Sequence, residues 1–453
     1  MVAHELAAYL ASQVETAIIF LGEQTEITKQ PNGLITLTIE SSAVEEFAVP
    51  NLARKNVRAI FEFLDEFQPD IIHAHEPALL SVLGQVWCKQ HNRPFVHTSH
   101  VLPWSVLDFG ALDAAKISNR YLIDKVTSGF LLNFYQNCDA LIALNQTEAD
   151  GIRRFGYTGQ VFLVPNGRHL QPFQACRYAE ITTQEKLLIF IGHICGRKNQ
   201  SYLLEVMKYL PGEYKLQIIG DPLDPHYEKQ LRVEAKEKAL NVEFCGIVDY
   251  EEISKYFEKS HLLVSASKME VQSLVVIEAL ASGTPVLGLA NETIDELVNE
   301  KVGGRLPKDT SPEGFAREVV RICNLPQAEY EQLCQNARQR VKDMDWENVT
   351  RMTRIAYEAL RKTHPSLSPE EGRARLTRLI TLLPSGQLRD YISQHSEKVT
   401  ARFRQARKVD RRTWIVSGAT ILVSIAVYLF LRQRDGFRRW RKNLSSRTRL
   451  QDQ

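Results

Sequence analysis

Short apolar runs alternate with stretches of helical periodicity through the first 361 residues. Apolar runs bounded by turn residues predict buried strands, and apolar positions three or four residues apart predict helices. The predicted strands are residues 16–21, 69–75, 94–100, 139–145, 161–164, 186–191, 216–219, 242–246, 262–264, 285–287 and 303–306. Helices are predicted at 3–12, 51–67, 200–210, 250–260, 273–283 and 346–360, with others beginning at Pro77 and Thr147. This alternation indicates an α/β fold.

The pattern changes after residue 361. Residues 362–412 are polar, helix-prone and increasingly basic, whereas residues 414–431 form an eighteen-residue run without a charge. A helix rises ~1.5 Å per residue, so this run would extend ~27 Å, enough to cross the hydrocarbon core of a bilayer. Trp414 and Tyr428 stand near its ends, where aromatic belts form. We predict a basic juxtamembrane segment at 362–412, a transmembrane helix at 413–431 and a basic tail at 432–453.

The charge distribution agrees with a membrane-facing tail. The 453 residues carry a formal net charge of only +2. From Arg361 onward, however, there are 21 Lys and Arg residues against 7 Asp and Glu, which leaves 35 against 47 before it. An acidic body with a basic tail predicts contact with an anionic surface, which we take to be membrane lipid and not nucleic acid. The seven cysteines contain no Cys-x-x-Cys, which favours reduced thiols in a cytosolic compartment.

The candidate chemistry centres on residues 262–289, LLVSASKMEVQSLVVIEALASGTPVLGL. A strand, a loop with Glu270 and a helix with Glu278 follow one another there. This order places the start of the helix, at Ser273, Leu274 and Val275, at the carboxyl edge of a parallel sheet. Open α/β sheets bind ligands at that edge, and helix N-termini favour phosphate.

These residues resemble the Glu-x7-Glu signature of the family-4 retaining glycosyltransferases, and residues 279–286, ALASGTPV, strengthen the resemblance. It implies the GT-B fold, in which two Rossmann-like domains face each other across a cleft. It also implies that Glu270 lies by the donor sugar and that Glu278 holds the ribose of the nucleotide. The family often has Gly-Phe-Gly after the first Glu, where this chain has Val271-Gln272-Ser273.

A second stretch resembles the diphosphate loop of the same family, G-R-L-x-x-x-K-G. It begins at Gly192, and by register Lys198 is the lysine that grips the diphosphate. The arginine position holds His193, and Arg197, further along the loop, is the candidate for the missing charge. A glycine turn that leads into a helix with basic residues nearby is suited to a diphosphate.

Further candidates lie in the first half. His100 matches the histidine that the family places against the donor sugar and phosphate, and either its neutral or its charged form suits that role. His75 and Glu76 follow a strand in a segment that lines the family's cleft, although a structural histidine fits the pattern equally well. Asn166 belongs to a Pro-Asn-Gly turn at the cleft. Trp104 belongs to an aromatic and basic stretch that either touches a membrane or packs in a helix pair.

The resemblance also suggests the division of the chain. We predict an N-terminal, acceptor-side domain at 1–168, a linker at 169–184, a nucleotide-sugar-binding domain at 185–345 and a closing helix at 346–361 that returns to the first domain. In the family, a strand and a glycine-rich loop precede the first helix. In this sequence Met1 falls just before that helix, so the first strand of the N-terminal domain is expected to be missing.

The sequence therefore predicts a membrane-anchored glycosyltransferase with its catalytic body in the cytoplasm. Its donor would be a nucleotide sugar such as UDP-glucose or GDP-mannose, its acceptor a membrane lipid, and retention of configuration is implied by the resemblance. We expect no cofactor and no catalytic metal, because no Asp-x-Asp pair ends a strand. The alternatives are a polysaccharide or lipid-linked glycan as acceptor, a non-catalytic GT-B scaffold or regulatory partner, and a GT-B sugar epimerase.

Overall fold

The computed structural model describes residues 2–44, 47–51, 53–100, 120–181 and 184–364. Within these ranges the helices are α1 Val2–Ala11, α2 Arg54–Phe67, α3 Leu79–His91, α4 Arg120–Gln136, α5 Gln146–Arg154, α6 Gln171–Gln174, α7 Gln200–Met207, α8 Pro225–Glu237, α9 Ile253–Lys259, α10 Leu274–Ser282, α11 Glu292–Leu297, α12 Pro312–Cys323, α13 Gln327–Arg340 and α14 Trp346–Thr363. The strands are β1 Ala17–Gly22, β2 Glu26–Lys29, β3 Ile35–Val44, β4 Phe47–Pro50, β5 Ile72–Ala74, β6 Phe95–Thr98, β7 Ala140–Ala143, β8 Gln160–Leu163, β9 Lys186–Ile191, β10 Tyr214–Ile219, β11 Val242–Gly246, β12 Leu262–Ser265, β13 Val286–Leu289 and β14 Gly303–Leu306.

The second half of the chain folds around one parallel sheet of six strands, in the order β11-β10-β9-β12-β13-β14. Its central strands are apolar at successive positions because helices cover both faces. One apolar cluster includes residues of α7, α8 and α12, and another includes residues of α9, α10 and α11. The strand order reverses between β9 and β12, so the loops after these two strands flank the switch point of the sheet.

The first half contains two sheets. In one, β5-β6-β7-β8 are parallel, and in the other β3 lies between β1 and β2 and also pairs with β4. A single apolar cluster connects the sheets, since it contains Ile39 of β3, Phe61 of α2, Ala74 of β5 and Val86 of α3. Among the described residues, β1 pairs only with β3, and β5 pairs only with β6. The two sheets therefore share no strand within the described ranges, and the expectation of a missing first strand stays a prediction.

Helices α1 and α14 pack together on the β5–β8 sheet. Leu6 of α1, Trp346 of α14 and Ile142 of β7 belong to one apolar cluster. The ring of Trp346 stacks on Tyr9 at 5.9 Å between centroids. The helix that closes the fold therefore lies against the first half, and the prediction of two Rossmann-like halves is confirmed. The boundaries at 168, 184 and 345 remain predictions.

Several details differ from the sequence-based expectations. The β2–β3 hairpin was not predicted, because β2 is exposed at all four positions and so lacks the apolar signal of a buried strand. Pro77 does not begin α3, which starts at Leu79 with Ala78 as its N-cap. Within the described ranges, no helix is both long and apolar enough to cross a membrane. The predicted span at 413–431, the basic tail at 432–453 and residues 365–412 of the predicted juxtamembrane segment lie outside those ranges.

Candidate functional site

Two glycines lie in close contact at the ends of β9 and β10, beside the switch point of the six-stranded sheet. Gly192 follows β9, and its N–H donates to the carbonyl of Ile219 at 2.9 Å. Gly220 follows β10, and a Cβ at this position would lie only 2.1 Å from the Gly192 carbonyl oxygen. Both glycines have φ of +147°, a conformation that side chains disfavour. The 192–199 loop can therefore leave the sheet edge beside the neighbouring strand.

Two cations and one carboxylate meet beside this turn. The Nζ of Lys198 and the Oε1 of Glu270 form an ion pair, and a guanidinium nitrogen of Arg197 lies 3.4 Å from the same oxygen. The same guanidinium nitrogen also donates to the Met269 carbonyl at 3.3 Å. Lys268 N–H donates to the Arg197 carbonyl at 3.0 Å, which ties the two loops together. The predicted diphosphate cations and the predicted sugar carboxylate are thus in direct contact.

His193 contributes differently. Its side chain is exposed, and its carbonyl accepts a 2.9 Å hydrogen bond from the Gln200 side chain at the start of α7. The structure therefore brings Arg197, rather than His193, to the Lys198–Glu270 pair.

The start of α10 is anchored from the neighbouring helix. Ser273 is its N-cap, and its N–H donates to the Thr293 hydroxyl at 2.9 Å. The Thr293 N–H and hydroxyl both bond the carbonyl of Glu270, each at 3.2 Å. Leu274 and Val275 are partly buried and pack against the apolar cluster that includes residues of α10. These contacts fix the Glu270 loop to the half of the molecule that contains the six-stranded sheet.

Glu278 lies in a separate, buried ion pair. Its Oε1 accepts a 2.5 Å bond from Nε of Arg168, and the two side chains are only 4% and 6% exposed. The Arg168 guanidinium also lies 4.4 Å from the centroid of the Tyr250 ring and 3.7 Å from Glu5 of α1. Burial raises the pKa of Glu278, and Arg168 acts in the opposite direction. The predicted ribose carboxylate is thus already engaged by the residue at the crossing between the two halves, which also bridges to Asp345.

A histidine pocket lies at the ends of β5 and β6. His75 Nδ1 and His100 Nε2 are 2.9 Å apart, so one ring donates to the other. His73 contacts the hydroxyls of Thr98 and Tyr357, each at 2.6 Å. Burial lowers the pKa of His100 to about 4 and the pKa of His73 to about 3, and it holds that of His75 well below its usual value. These imidazoles are therefore neutral at pH 7.

Asn166 lines the same pocket. It is buried, its N–H donates to the Gln272 side chain at 2.6 Å, and within the described chain its Oδ1 has no hydrogen-bond partner. Glu76 has an exposed side chain. Trp104 lies outside the described residues.

Three residues that the sequence did not single out join these groups. Arg168 pairs with Glu278, Gln272 reaches from the Glu270 loop to Asn166, and Asn145 donates to the Val271 carbonyl at 2.7 Å. Two features of the sequence could have drawn attention to these residues. Arg168 directly follows the Pro-Asn-Gly turn, and Gln272 lies in the three residues that replace the family's Gly-Phe-Gly. However, the partner of each of the three residues is more than 100 positions away along the chain, so the sequence did not indicate the contacts.

Glu148 was predicted only as part of the helix that begins at Thr147. The structure buries it fully, three residues after Asn145. Its Oε2 accepts the Leu144 N–H at 2.7 Å, and burial raises its pKa to about 8. Over the described ranges, no group of three or more His, Cys, Asp or Glu side chains is arranged to hold a metal ion.

Comparison with known proteins matches each half of the chain to a glycosyltransferase profile. The profile described as Glycosyltransferase Family 4 matches residues 1–171, and the profile described as Glycosyl transferases group 1 matches residues 177–340.

Individual proteins agree with these profiles. The chain is 31% identical to a D-inositol 3-phosphate glycosyltransferase of Streptomyces griseus, over 65% of this chain and 68% of that protein. It is 25% identical to an alpha-monoglucosyldiacylglycerol synthase of Streptococcus pneumoniae, over 65% of this chain and 72% of that protein. Sucrose-phosphate synthase from Thermosynechococcus elongatus has a similar fold, with a TM-score of 0.64 and 22% identity over 79% of this chain and 92% of the other. The chain therefore belongs to the family-4 glycosyltransferases and has their GT-B fold.

Proposed function

We propose that the protein transfers a hexose from a nucleotide sugar to a membrane lipid, with retention of configuration and without a metal ion. The observation that carries this proposal is the cluster of Lys198, Arg197 and Glu270 at the switch point of the sheet. It combines two cations for a diphosphate with one carboxylate for sugar hydroxyls.

The cations would act on the leaving nucleoside diphosphate. Negative charge develops on the β-phosphate as the bond to the sugar breaks, and fixed cations in a partly buried site stabilise it most when they are already in place. The Lys198 and Arg197 side chains are 12% and 25% exposed, so both are held close to the protein and still accessible. With the diphosphate on these cations, the carboxylate of Glu270 would turn to the sugar.

The remaining polar groups suit hydrogen bonding. With a pKa lowered to about 4 by burial, His100 would bond a sugar hydroxyl as a neutral imidazole. The buried Oδ1 of Asn166 lines the same pocket and would accept from a hydroxyl of the donor or acceptor. Glu278 would bind the ribose diol, for which its pair with Arg168 must rearrange.

A lipid acceptor is supported by two observations. A relative from Streptococcus pneumoniae is named for the synthesis of glucosyldiacylglycerol. The charge-free run at 414–431 lies between basic segments, as in a single-pass anchor. We propose that this run anchors the protein near its C-terminus with the catalytic body in the cytoplasm, where anionic lipids attract the basic flanks.

The test is transfer by the full-length protein in membranes. Membranes containing the protein are incubated with labelled nucleotide sugars, including UDP-glucose and GDP-mannose, with and without a chelator. The lipid extract and the polysaccharide fraction are then analysed. Label in a lipid, undiminished by the chelator and carrying the donor's anomeric configuration, is the expected result.

Matched membranes with Lys198→Ala should lack the activity. Label only in polysaccharide would change the proposed acceptor. A free, epimerised sugar or no turnover of any donor would favour the epimerase or the non-catalytic alternative.

A further inference from the structure

The side chain of Gln272 makes an unusual set of contacts. It is 7% exposed and stands two residues after Glu270. Its Oε1 accepts the Asn166 N–H at 2.6 Å, and its Nε2 donates to the Leu144 carbonyl at 3.1 Å and to Glu296 at 3.4 Å. An amide is suited to this position, because it offers an acceptor and donors on one planar group.

These contacts join the two halves of the molecule. Leu144 follows β7 and Asn166 follows β8, both at the end of the first half's parallel sheet, whereas Gln272 belongs to the loop after β12. Beside it, Asn145 donates to the Val271 carbonyl at 2.7 Å. Two neighbouring residues of one loop are therefore hydrogen-bonded to two strand ends across the cleft.

The same loop carries Glu270. On its other side, Thr293 bonds the Glu270 carbonyl through both its N–H and its hydroxyl. Glu270 is thus held between an anchor within its own half and an anchor to the opposite half. The second anchor ends on Asn166, a wall of the histidine pocket.

We propose that Gln272 is a positioning residue for sugar transfer. Through Asn166 and Leu144 it fixes the distance between the donor-sugar carboxylate Glu270 and the histidine pocket, so that the two halves of the site meet in one geometry. The inference rests on the proposed function, because it assumes that donor and acceptor react in this cleft. Gln272 touches no reacting atom in this scheme, and it acts through Glu270.

The decisive variant is Gln272→Met, which keeps the length of the side chain and removes both hydrogen-bonding functions. A misplacement of about 1 Å at a reacting group lowers turnover by as much as ~100-fold. We expect kcat to fall between about 10-fold and 100-fold, while the affinity for UDP or GDP changes less than about 2-fold, because Lys198 and Arg197 stay in place. Gln332→Met, at an exposed glutamine of α13, is the matched control.

A second variant, Gln272→Glu, separates positioning from general packing. A protonated carboxyl can accept from Asn166 and donate to Leu144, but a carboxylate cannot donate. The charged groups near this point are Glu296 and Glu292 on α11, Glu148 on α5 and Glu270 on the loop itself, with Arg340 of α13 beside Glu296. Glu270 and Glu292 disfavour a further negative charge, whereas burial raises the pKa of Glu148 to about 8 and that of Glu296 to about 7, so these two become neutral as the pH is lowered in wild type and variant alike. The activity of Gln272→Glu relative to wild type should therefore rise as the pH is lowered from 8 to 6, whereas that of Gln272→Met should show no such rise.

Amide hydrogen exchange tests the anchor without any assay of turnover. In the wild type the Asn166 N–H should be protected, and in Gln272→Met its protection should fall by at least about 10-fold. If that loss occurs and the wild type transfers no sugar, the proposed function is wrong and the anchor stands. Unchanged protection, a wild-type kcat in Gln272→Met, or a loss of nucleotide affinity as large as the loss of kcat would overturn the positioning role.

Discussion

The buried pair of Arg168 and Glu278 allows a quantitative prediction. Arg168→Met removes the cation and keeps an unbranched side chain of similar length. The carboxylate of Glu278 then remains buried at 4% exposure without its main partner. Breaking a buried ion pair by removing one partner destabilises a protein by about 3–5 kcal/mol, and we expect a loss in that range at pH 8.

Glu278→Gln should be less severe. The guanidinium left behind still lies 3.7 Å from Glu5 and 4.4 Å from the Tyr250 ring, so its charge stays partly compensated. Because the two residues share one interaction, the loss in the double variant Arg168→Met/Glu278→Gln should be smaller than the sum of the single losses.

The pH dependence has a definite sign. Burial already raises the pKa of Glu278, and Arg168 is the principal group that lowers it. Without Arg168 the pKa rises further, so the folded protein binds more protons than the unfolded chain, and stability falls as the pH rises. The penalty of Arg168→Met should therefore be small below the unfolded pKa of about 4.3 and grow above it.

Urea unfolding of the full-length protein in mild detergent, followed by the fluorescence of the tryptophans at pH 5 and pH 8, measures these effects. Arg305→Met is the control, because Arg305 pairs with Asp295 at 2.6 Å but both side chains are exposed. Exposed pairs contribute about 0–1 kcal/mol. If Arg168→Met loses no more stability at pH 8 than Arg305→Met, or loses equally at both pH values, the buried pair does not carry the energy assigned to it.

Three further predictions concern other parts of the molecule. Lys198→Ala should lower kcat by about 100-fold or more with little change in melting temperature, because its charge is needed where negative charge develops; wild-type turnover would mean that the diphosphate site is misplaced. Burial raises the pKa of Glu148 to about 8, so its contribution to stability should fall as the pH rises from about 5 to 9. In Glu148→Gln the free energy of unfolding should therefore change less over this pH range than in the wild type. An unchanged pH dependence would contradict the burial argument. The full-length protein should resist carbonate extraction, whereas a chain ending at Arg412 should bind anionic vesicles at low salt and detach at 1 M, where the screening length is ~3 Å; extraction of the full-length protein would exclude the span.

Much of the second half could be predicted from the sequence because its strands are buried on both faces. The strand predicted at 186–191 matches Lys186–Ile191, and the helix predicted at 273–283 matches Leu274–Ser282 with Ser273 and Gly283 as its caps. In contrast, β2 is an exposed edge strand and gives no apolar run. The pattern of apolar residues therefore identified these buried elements and missed the exposed strand.

The site was predictable only where local order determines it. Lys198 and Glu270 follow β9 and β12, which are adjacent in the sheet, so a strand order typical of the fold brings their loops together. The contacts of Arg168 and Gln272 depend on how the two halves pack. Nothing within a few residues of either position specifies its partner, so sequence reasoning placed Glu278 toward a ribose and missed the arginine beside it.

The position of β1 at the edge of its sheet has a consequence for the behaviour of the protein in solution. On one side of β1, within the described ranges, the backbone groups form no ladder, and its sequence, AIIFLG, contains neither a charge nor a proline. Charges, prolines and bulges are the features by which natural edge strands avoid pairing with other chains. If no other part of the chain covers this edge in the full-length protein, concentrated preparations should associate through β1, and a soluble peptide of β-forming sequence that pairs with the edge should suppress the association. The solubility of concentrated protein will then depend on whether a peptide or another strand covers the edge of β1.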